Sequence, residues 1–303
     1  MGTGKLFVPI PLPNPARGLG FSFSRGETRS ANRDNPTLLQ FPLSLAIVSI
    51  SASQCRSVVS WFFIYRPLVA PHTAAMNSAI IVAAGRGTRM GPNVDKLFLE
   101  VAGRPLVAHT WERFERAECI DEIIVVVRDG LQDAFAELAR ESGFRKSFRF
   151  TPGGKERQDS VWNGLSALAP ATEIVAIQDG ARPCTSGALI HATVAAAREI
   201  GAAVAAQRVT DTIKETDDGT FIARNVDRAR LWAVQTPQTF RVEVIRRALQ
   251  AVRDRGLFVT DDTAACELIG QRVKLVESLS PNPKATAPAD VPYLELLLRQ
   301  GVN

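Results

Sequence analysis

From Asn77 onward, short runs of apolar residues alternate with longer stretches whose apolar positions recur at a helical period. The runs AIIVAA (79–84), EIIVVV (122–127), SFRFT (147–151), EIVAIQ (173–178) and AAVAAQRV (202–209) predict strands, as do RLWAVQT (230–236) and RVKLVE (272–277). Helices are predicted at 105–117, 131–142, 157–168, 186–199, 241–254, 261–269 and 289–299. Nearly continuous apolar strands between amphipathic helices predict an α/β, Rossmann-like fold: a mostly parallel sheet with helices on both faces. Such folds bind ligands beyond the carboxyl ends of their strands. VTDTIKE (209–215) reads as an edge strand leading into the turn Asp217-Asp218-Gly219.

The first seventy-five residues break this pattern. They begin PIPLPNPARGLG-rich, continue Ser- and Arg-rich, and hold two apolar pieces, FPLSLAIVSI and VVSWFFIY, split by SASQCRS. Neither piece is long enough to span a bilayer, so no membrane anchor is expected. The apolar part lies too far from the N-terminus for a secretory signal; an acid-poor Ser/Arg-rich leader suits an organelle transit peptide, and an upstream start codon is the plainer alternative. Either way residues 1–76 are expected to be a disordered extension, with one catalytic domain over 77–303. The expected location is the cytoplasm, or a plastid if the leader is a genuine transit peptide.

The leader also accounts for the charge. Of the chain's net +5 over 303 residues, the whole excess lies in residues 1–75, and the remainder is neutral. The body therefore gives no electrostatic case for nucleic acid. Cys55, Cys119, Cys184 and Cys266 are scattered, without metal-site spacing, and read as buried or free thiols in a reducing compartment. Only His72, His109 and His191 are present, so any chemistry must run on Lys, Arg, Asp, Glu and hydroxyls.

Chemistry concentrates in the loops after the strands. AAGRGTRMGPNVDK (83–96) is no dinucleotide fingerprint, because Met90 stands where the third glycine belongs. Nor is it a P-loop, since Pro92 follows Gly91. Its glycines still allow backbone N–H groups near phosphate oxygens, and Arg89 and Lys96 can neutralise charge there; a solvated basic turn is the bland alternative. PGGKERQDSV (152–161) is a second glycine loop, suited to a nucleobase lying against backbone, in which Asp159 and Ser160 could equally be helix caps. QDGARPC (178–184) ends an apolar strand on Asp179, a costly place for a carboxylate unless a cation meets it. A Mg²⁺ carried by a triphosphate would do so, with Arg182 near a second phosphate; an Asp179–Arg182 turn pair is the alternative.

Further on come ARNVDRARLWAVQTPQTF (223–240), TDD (260–262) and NPKATAPAD (282–290). Taken with the earlier loops, AAGRGTRM with Lys96, GGKERQDSV, QDGARP, VTDTIK, VDRARLWAVQTPQTF, TDD and NPKAT resemble the 2-C-methyl-D-erythritol 4-phosphate cytidylyltransferases of the non-mevalonate isoprenoid pathway. The match covers essentially all of 77–300. The resemblance implies a fold of the nucleotide-diphospho-sugar transferase type with a protruding β-arm. It implies transfer of a cytidylyl group from CTP to a methylerythritol phosphate, with Mg²⁺, giving a CDP-linked alcohol and pyrophosphate. By carry-over, Arg89 and Lys96 stabilise charge at the α-phosphate, while Ala83, Ala84, Gly85, Gly154 and Ser160 hold the nucleotide. Asp179 faces the Mg²⁺ and ribose, and Arg182, Thr212, Arg228, Thr236 and Lys284 surround the acceptor phosphate. It also implies an arm near 209–230 exchanged within a homodimer, with Arg228 supplied by the partner.

The chemistry agrees. A phosphate monoester nucleophile is already ionised at neutral pH, so the reaction needs cations to gather two anions and no general base. Two departures stand out: Asp95 and Leu97 flank Lys96 where relatives more often have Pro and Gln, and Pro281 and Pro283 bracket the NPKAT motif. The prolines predict an edge or loop for Lys284. The chain also ends without the histidine-bearing motif that a fused cyclase domain would need. A pentitol-phosphate cytidylyltransferase, such as one acting on ribitol 5-phosphate, would share the nucleotide loops. A sugar-1-phosphate nucleotidyltransferase fits the first loop but not GGKERQDSV or TPQTF, and a non-catalytic nucleotide-binding homologue fits poorly with retained Arg89, Lys96 and Asp179.

Overall fold

The computed structural model describes residues 75–85, 87 and 95–301. The leader up to residue 74, with the disorder expected of it, and Arg89 fall outside the described residues. In chain order the strands and helices are β1 (Met76–Val82), β2 (Glu100–Val101), β3 (Arg104–Pro105), α1 (Leu106–Arg116), β4 (Glu122–Val127), α2 (Gln132–Ser142), β5 (Ser147–Pro152) and α3 (Arg157–Ser166). There follow β6 (Thr172–Asp179), α4 (Gly187–Ile200), β7 (Ala202–Arg208), β8 (Ile213–Glu215), β9 (Arg224–Val226), β10 (Trp232–Arg241), α5 (Val242–Asp254), α6 (Asp262–Glu267), β11 (Lys274–Glu277) and α7 (Val291–Arg299).

Seven strands form one sheet in the order β11-β7-β10-β6-β1-β4-β5. Only β10 runs against its neighbours; the β1–β4, β1–β6, β4–β5 and β7–β11 pairs are parallel. The period of two along each strand decides which layer each residue serves. Ala79, Ile81, Ile123, Val125, Ile174 and Ala176 face a core shared with α1, α2, α4 and α7. Ile80, Ile124, Val126, Val175 and Ile177 face a second core shared with α3, α5 and α6. Both faces are covered, as the continuous apolar strands require. Among the described residues no helix is long and apolar enough to cross a membrane.

The helix ends follow local chemistry. Ser186 accepts the Leu189 N–H at 3.2 Å to start α4, and Asp261 accepts the Ala264 N–H at 2.9 Å to start α6. Gly143 and Gly201 end α2 and α4 in the left-handed conformation.

Three features differ from the sequence reading. The β2–β3 hairpin was not anticipated, because two-residue strands carry no periodicity; it turns on Ala102 and Gly103, both at positive φ. The strand read as 230–236 extends through Arg241, with Pro237 inside it. A proline argues against a central strand, yet the register slips between Val234 and Gln238, and that irregularity accommodates the missing donor. The edge strand read at 209–215 narrows to Ile213–Glu215, which pairs with β9 as a two-stranded ribbon separate from the main sheet.

Candidate active site

After β1 the chain proceeds to β4 and β5 on one side, then returns to place β6 on the other. The crevice at this reversal is where ligands enter open α/β sheets. A cavity of about 630 Å³ lies there, walled by the residues that follow β1, β4, β5 and β6, with Lys96 and Lys284 reaching in from separate segments.

Close packing of backbone builds the walls. A Cβ at Gly153 would stand 2.3 Å from the Ala84 Cβ, and one at Gly154 would stand 2.2 Å from the Asp159 Cβ. These glycines therefore serve first to seat the second loop against the first loop and against the start of α3. The Gly154 N–H donates to Ser160 Oγ at 3.0 Å, and Ser160 Oγ–H donates onward to the Glu156 carbonyl at 3.2 Å. Asp159 Oδ2 accepts the Glu156 N–H at 3.1 Å, so Asp159 caps the helix as the bland reading held. Backbone bonds continue past the strand ends: Ala83 N–H to Val126 O at 2.8 Å, Gly153 N–H to Val127 O at 2.8 Å, and Gly180 N–H to Val82 O at 3.0 Å.

Asp179 is the electrostatic centre. Its Oδ2 receives Lys284 Nζ at 2.7 Å and lies 3.7 Å from Arg182 Nε, while Oδ1 lies 3.4 Å from Arg157 Nε. Burial pushes this carboxyl up, but Arg157, Lys284 and Arg182 outweigh burial and hold it well below the usual carboxylate range. The cation that Asp179 demands is thus supplied threefold by the chain itself. Arg157 also donates from Nη1 to Asp262 Oδ2 at 2.8 Å. Asp262 is 1% exposed, its Oδ1 has no hydrogen-bond partner among the described residues, and burial raises its pKa despite Arg157.

Lys96 Nζ donates to the Ala285 carbonyl at 3.4 Å, which ties the end of the first loop to the NPKAT segment. Asp95 pairs with Arg128 and accepts the Leu97 N–H at 3.2 Å. The departure at position 95 is therefore accommodated by an ion pair across the cavity wall. Lys284 lies on a loop, as Pro281 and Pro283 predicted.

Ala84, Gly85, Lys96, Gly154, Ser160, Asp179 and Lys284 all line the cavity. Ala83 does not: it is 1% exposed in the α1-side core, and only its backbone belongs to the loop. Arg182 and the 3% exposed Thr236 stand behind Asp179, whose N–H donates to Thr236 Oγ1 at 3.1 Å. Thr212 and Arg228 are exposed and flank the ribbon; Arg228 donates to the Thr210 carbonyl, and neither lines the cavity. Arg157, Asp262, Arg128 and Lys155 were missed. Arg157 and Lys155 sit inside GGKERQDSV, where three charges directly after a glycine pair marked a ligand-facing turn. Asp262 sits inside TDD, though nothing in its neighbours announced an ion pair with a residue 105 positions away. His109 is buried against the Val101 carbonyl and His191 is exposed on α4; neither lines the cavity.

Comparison with known proteins places these features in one family. The family model described as 2-C-methyl-D-erythritol 4-phosphate cytidylyltransferase matches residues 77–300. The enzyme of that name from Geobacillus kaustophilus is 44% identical over 220 residues, 73% of this chain and 96% of the relative. Its counterpart from Pelotomaculum thermopropionicum is 42% identical over 227 residues, 74% of this chain and 95% of the relative. The crystal structure of 4-diphosphocytidyl-2C-methyl-D-erythritol synthase from Anaerococcus prevotii superposes with a TM-score of 0.67 at 32% identity, covering 74% of this chain and 96% of that one. The chain belongs to the 2-C-methyl-D-erythritol 4-phosphate cytidylyltransferase family.

Proposed function

We propose that the chain transfers a cytidylyl group from CTP to 2-C-methyl-D-erythritol 4-phosphate in isoprenoid precursor synthesis. The products are 4-diphosphocytidyl-2-C-methyl-D-erythritol and pyrophosphate. The observation that carries this reading, beside family membership, is the cavity at the strand reversal: backbone loops on one side, Lys284, Arg157 and Arg182 converging around Asp179 on the other, and Lys96 lining the same space. The glycine loops would hold the nucleotide through Ala84, Gly85, Gly154 and Ser160. Arg89 and Lys96 would stabilise charge at the α-phosphate, and Arg182, Thr236 and Lys284 would hold the acceptor phosphate. The acceptor is itself the ionised nucleophile, which agrees with a cavity lined by cations and without histidine.

A Mg²⁺ entering with the triphosphate would share Asp179 with Lys284, Arg182 and Arg157, which already surround that carboxylate, so phosphate oxygens and water would have to supply most of its shell. Mg²⁺ commonly takes one or two carboxylates and completes its shell with waters and phosphate oxygens. No group of three His, Cys, Asp or Glu among the described residues could hold it alone. When bound it would draw charge off the phosphate oxygens.

A homodimer with Arg228 and Thr212 reaching the partner's acceptor site is supported by the ribbon they flank. Both residues are exposed away from the cavity, and Phe221 and Ile222 are 76% and 67% exposed on the same excursion, an apolar pair suited to a protein partner.

The purified protein should release pyrophosphate from CTP when 2-C-methyl-D-erythritol 4-phosphate and Mg²⁺ are supplied. Equal or faster turnover with ribitol 5-phosphate would overturn the acceptor assignment.

A further inference from the structure

Asn282 is 1% exposed, lies outside the cavity wall, and makes a set of contacts that no other residue of its loop matches. Its Nδ2 donates to the Thr236 carbonyl at 2.8 Å and to Gln235 Oε1 at 3.2 Å. Its Oδ1 accepts the Thr185 hydroxyl at 3.0 Å, and its own carbonyl accepts Arg182 Nη1 at 2.7 Å. Both amide hydrogens are thereby used, and the amide faces one way only. Turning it over would aim Oδ1 at two acceptors, because the Gln235 Nε2 end is already committed to Gln207 Oε1 at 2.8 Å.

The partners converge on one function. Arg182, Thr236 and Lys284 come from three separate segments: the loop after β6, the middle of β10, and the proline-bracketed loop after β11. Asn282 bonds the first two directly and carries Lys284 two residues along its own chain. Pro281 and Pro283 leave that loop without two of its backbone donors, so side-chain bonds must hold it. The Ala285 N–H to Ala181 O bond at 2.9 Å and the Lys284 bond to Asp179 are further ties to the end of β6 and the loop after it.

We infer that Asn282 is a positioning residue for the acceptor side of the site, setting Arg182, Thr236 and Lys284 in one frame around Asp179. The inference rests on the acceptor assignment made above. Its contacts include none with residues 83–85 or 153–160, so its direct bonds fall on the acceptor side. It reaches the nucleotide side only indirectly, through Asp179 and the Ala285 carbonyl that accepts Lys96. A cation displaced by about 1 Å loses much of its effect on a phosphate that must meet the α-phosphate in line.

The test is steady-state kinetics with both substrates varied, together with direct CTP binding by calorimetry. Asn282→Ala should raise the KM for 2-C-methyl-D-erythritol 4-phosphate and lower kcat, with kcat/KM for that acceptor falling about tenfold or more. The Kd for CTP should stay within about twofold of wild type. Thr185→Val, which keeps shape and removes the hydroxyl from Asn282 Oδ1 together with its contacts to Gln178 Nε2 and the Arg182 carbonyl, should shift the same constants in the same direction by a smaller factor. An unchanged acceptor KM, or a CTP affinity that falls in parallel, overturns the inference. If Asn282→Ala fails to give a cooperative melt, Thr185→Val decides by the same two criteria. Wild-type protein that makes no pyrophosphate with this acceptor would instead overturn the function itself.

Discussion

Gly153→Ala should disable the enzyme by geometry alone. Gly153 is not in the left-handed region, so an alanine there meets no backbone penalty. What it meets is space: the new Cβ would lie 2.3 Å from the Ala84 Cβ. Carbon atoms in contact sit about 3.5 Å apart, so the two loops must separate by about 1.2 Å. Over-packing of this kind costs about 1–3 kcal/mol, which for a domain of this size lowers Tm by about 2–12 °C. The functional effect should be larger, because the separating loops are the two that would grip the nucleotide. A misplacement of about 1 Å can cost about 100-fold, so kcat/KM for CTP should fall by about 10- to 100-fold. Removing the opposing methyl supplies the control. Ala84→Gly combined with Gly153→Ala should recover most of the Tm and the CTP KM, an interaction well outside additivity. The assay is pyrophosphate release with CTP varied, beside thermal melts of the four proteins of the cycle. A Gly153→Ala enzyme with wild-type KM for CTP, or a double variant no better than the single, would refute the packing argument.

Lys96→Ala and Arg89→Ala should each cost about 2.7–4 kcal/mol of barrier, read as kcat, with melts near wild type. Near-normal turnover removes either from the chemistry. Co-expressed Lys96→Ala and Arg228→Ala chains should regain about a quarter of wild-type activity by reassortment of a shared-site dimer, and none if each chain is self-sufficient. Asp179→Asn leaves Lys284, Arg182 and Arg157 facing one another and should cost about 3 kcal/mol, measured by denaturant unfolding at neutral pH. Because the Asp179 carboxyl is depressed, its contribution is complete above the ordinary carboxylate range and declines as pH falls toward the depressed value, so the gap between variant and wild type should narrow in acid. The buried thiols act at the other end of the scale. Burial raises Cys184 to about 11 and Cys266 to about 12 from an ordinary 9.0, so stability holds below pH 9.0 and falls as pH rises toward those values. Cys184→Ala with Cys266→Ala should flatten that alkaline decline in denaturant titrations, and an unchanged slope would assign it to other groups.

Much of this was legible along the chain because periodicity and caps are local. The predicted helix at 186–199 is α4, bounded by the Ser186 cap and the Gly201 turn, and the strand at 122–127 is β4. What escaped were features settled by distant partners. The strand read as 230–236 in fact continues past Pro237 to Arg241, and the register slip that permits this involves β7. Arg157 and Asp262 each read as ordinary charges until the fold joined them. Lys284 was readable as a loop residue, but its 2.7 Å bond to Asp179 depended on where that loop lands. Ala83 shows the reverse: the motif named it, and the fold puts its methyl group in the core.

The antiparallel strand has a consequence for how the protein is made. β10 lies between β6 and β7, both of which precede it in the chain. A nascent polypeptide that has emerged only through β9 therefore has a gap in the middle of its sheet, with unpaired edges on β6 and β7. Asp179, at the end of β6, is synthesised long before Lys284 and Asp262, and at that stage only Arg157 and Arg182 are there to meet it. Folding from the N-terminus as synthesis proceeds cannot close the sheet until β10 is available for insertion. The ion cluster that would bind substrate is thus among the last parts assembled, and a ribosome-bound chain truncated before β10 should be a target for chaperones and no catalyst.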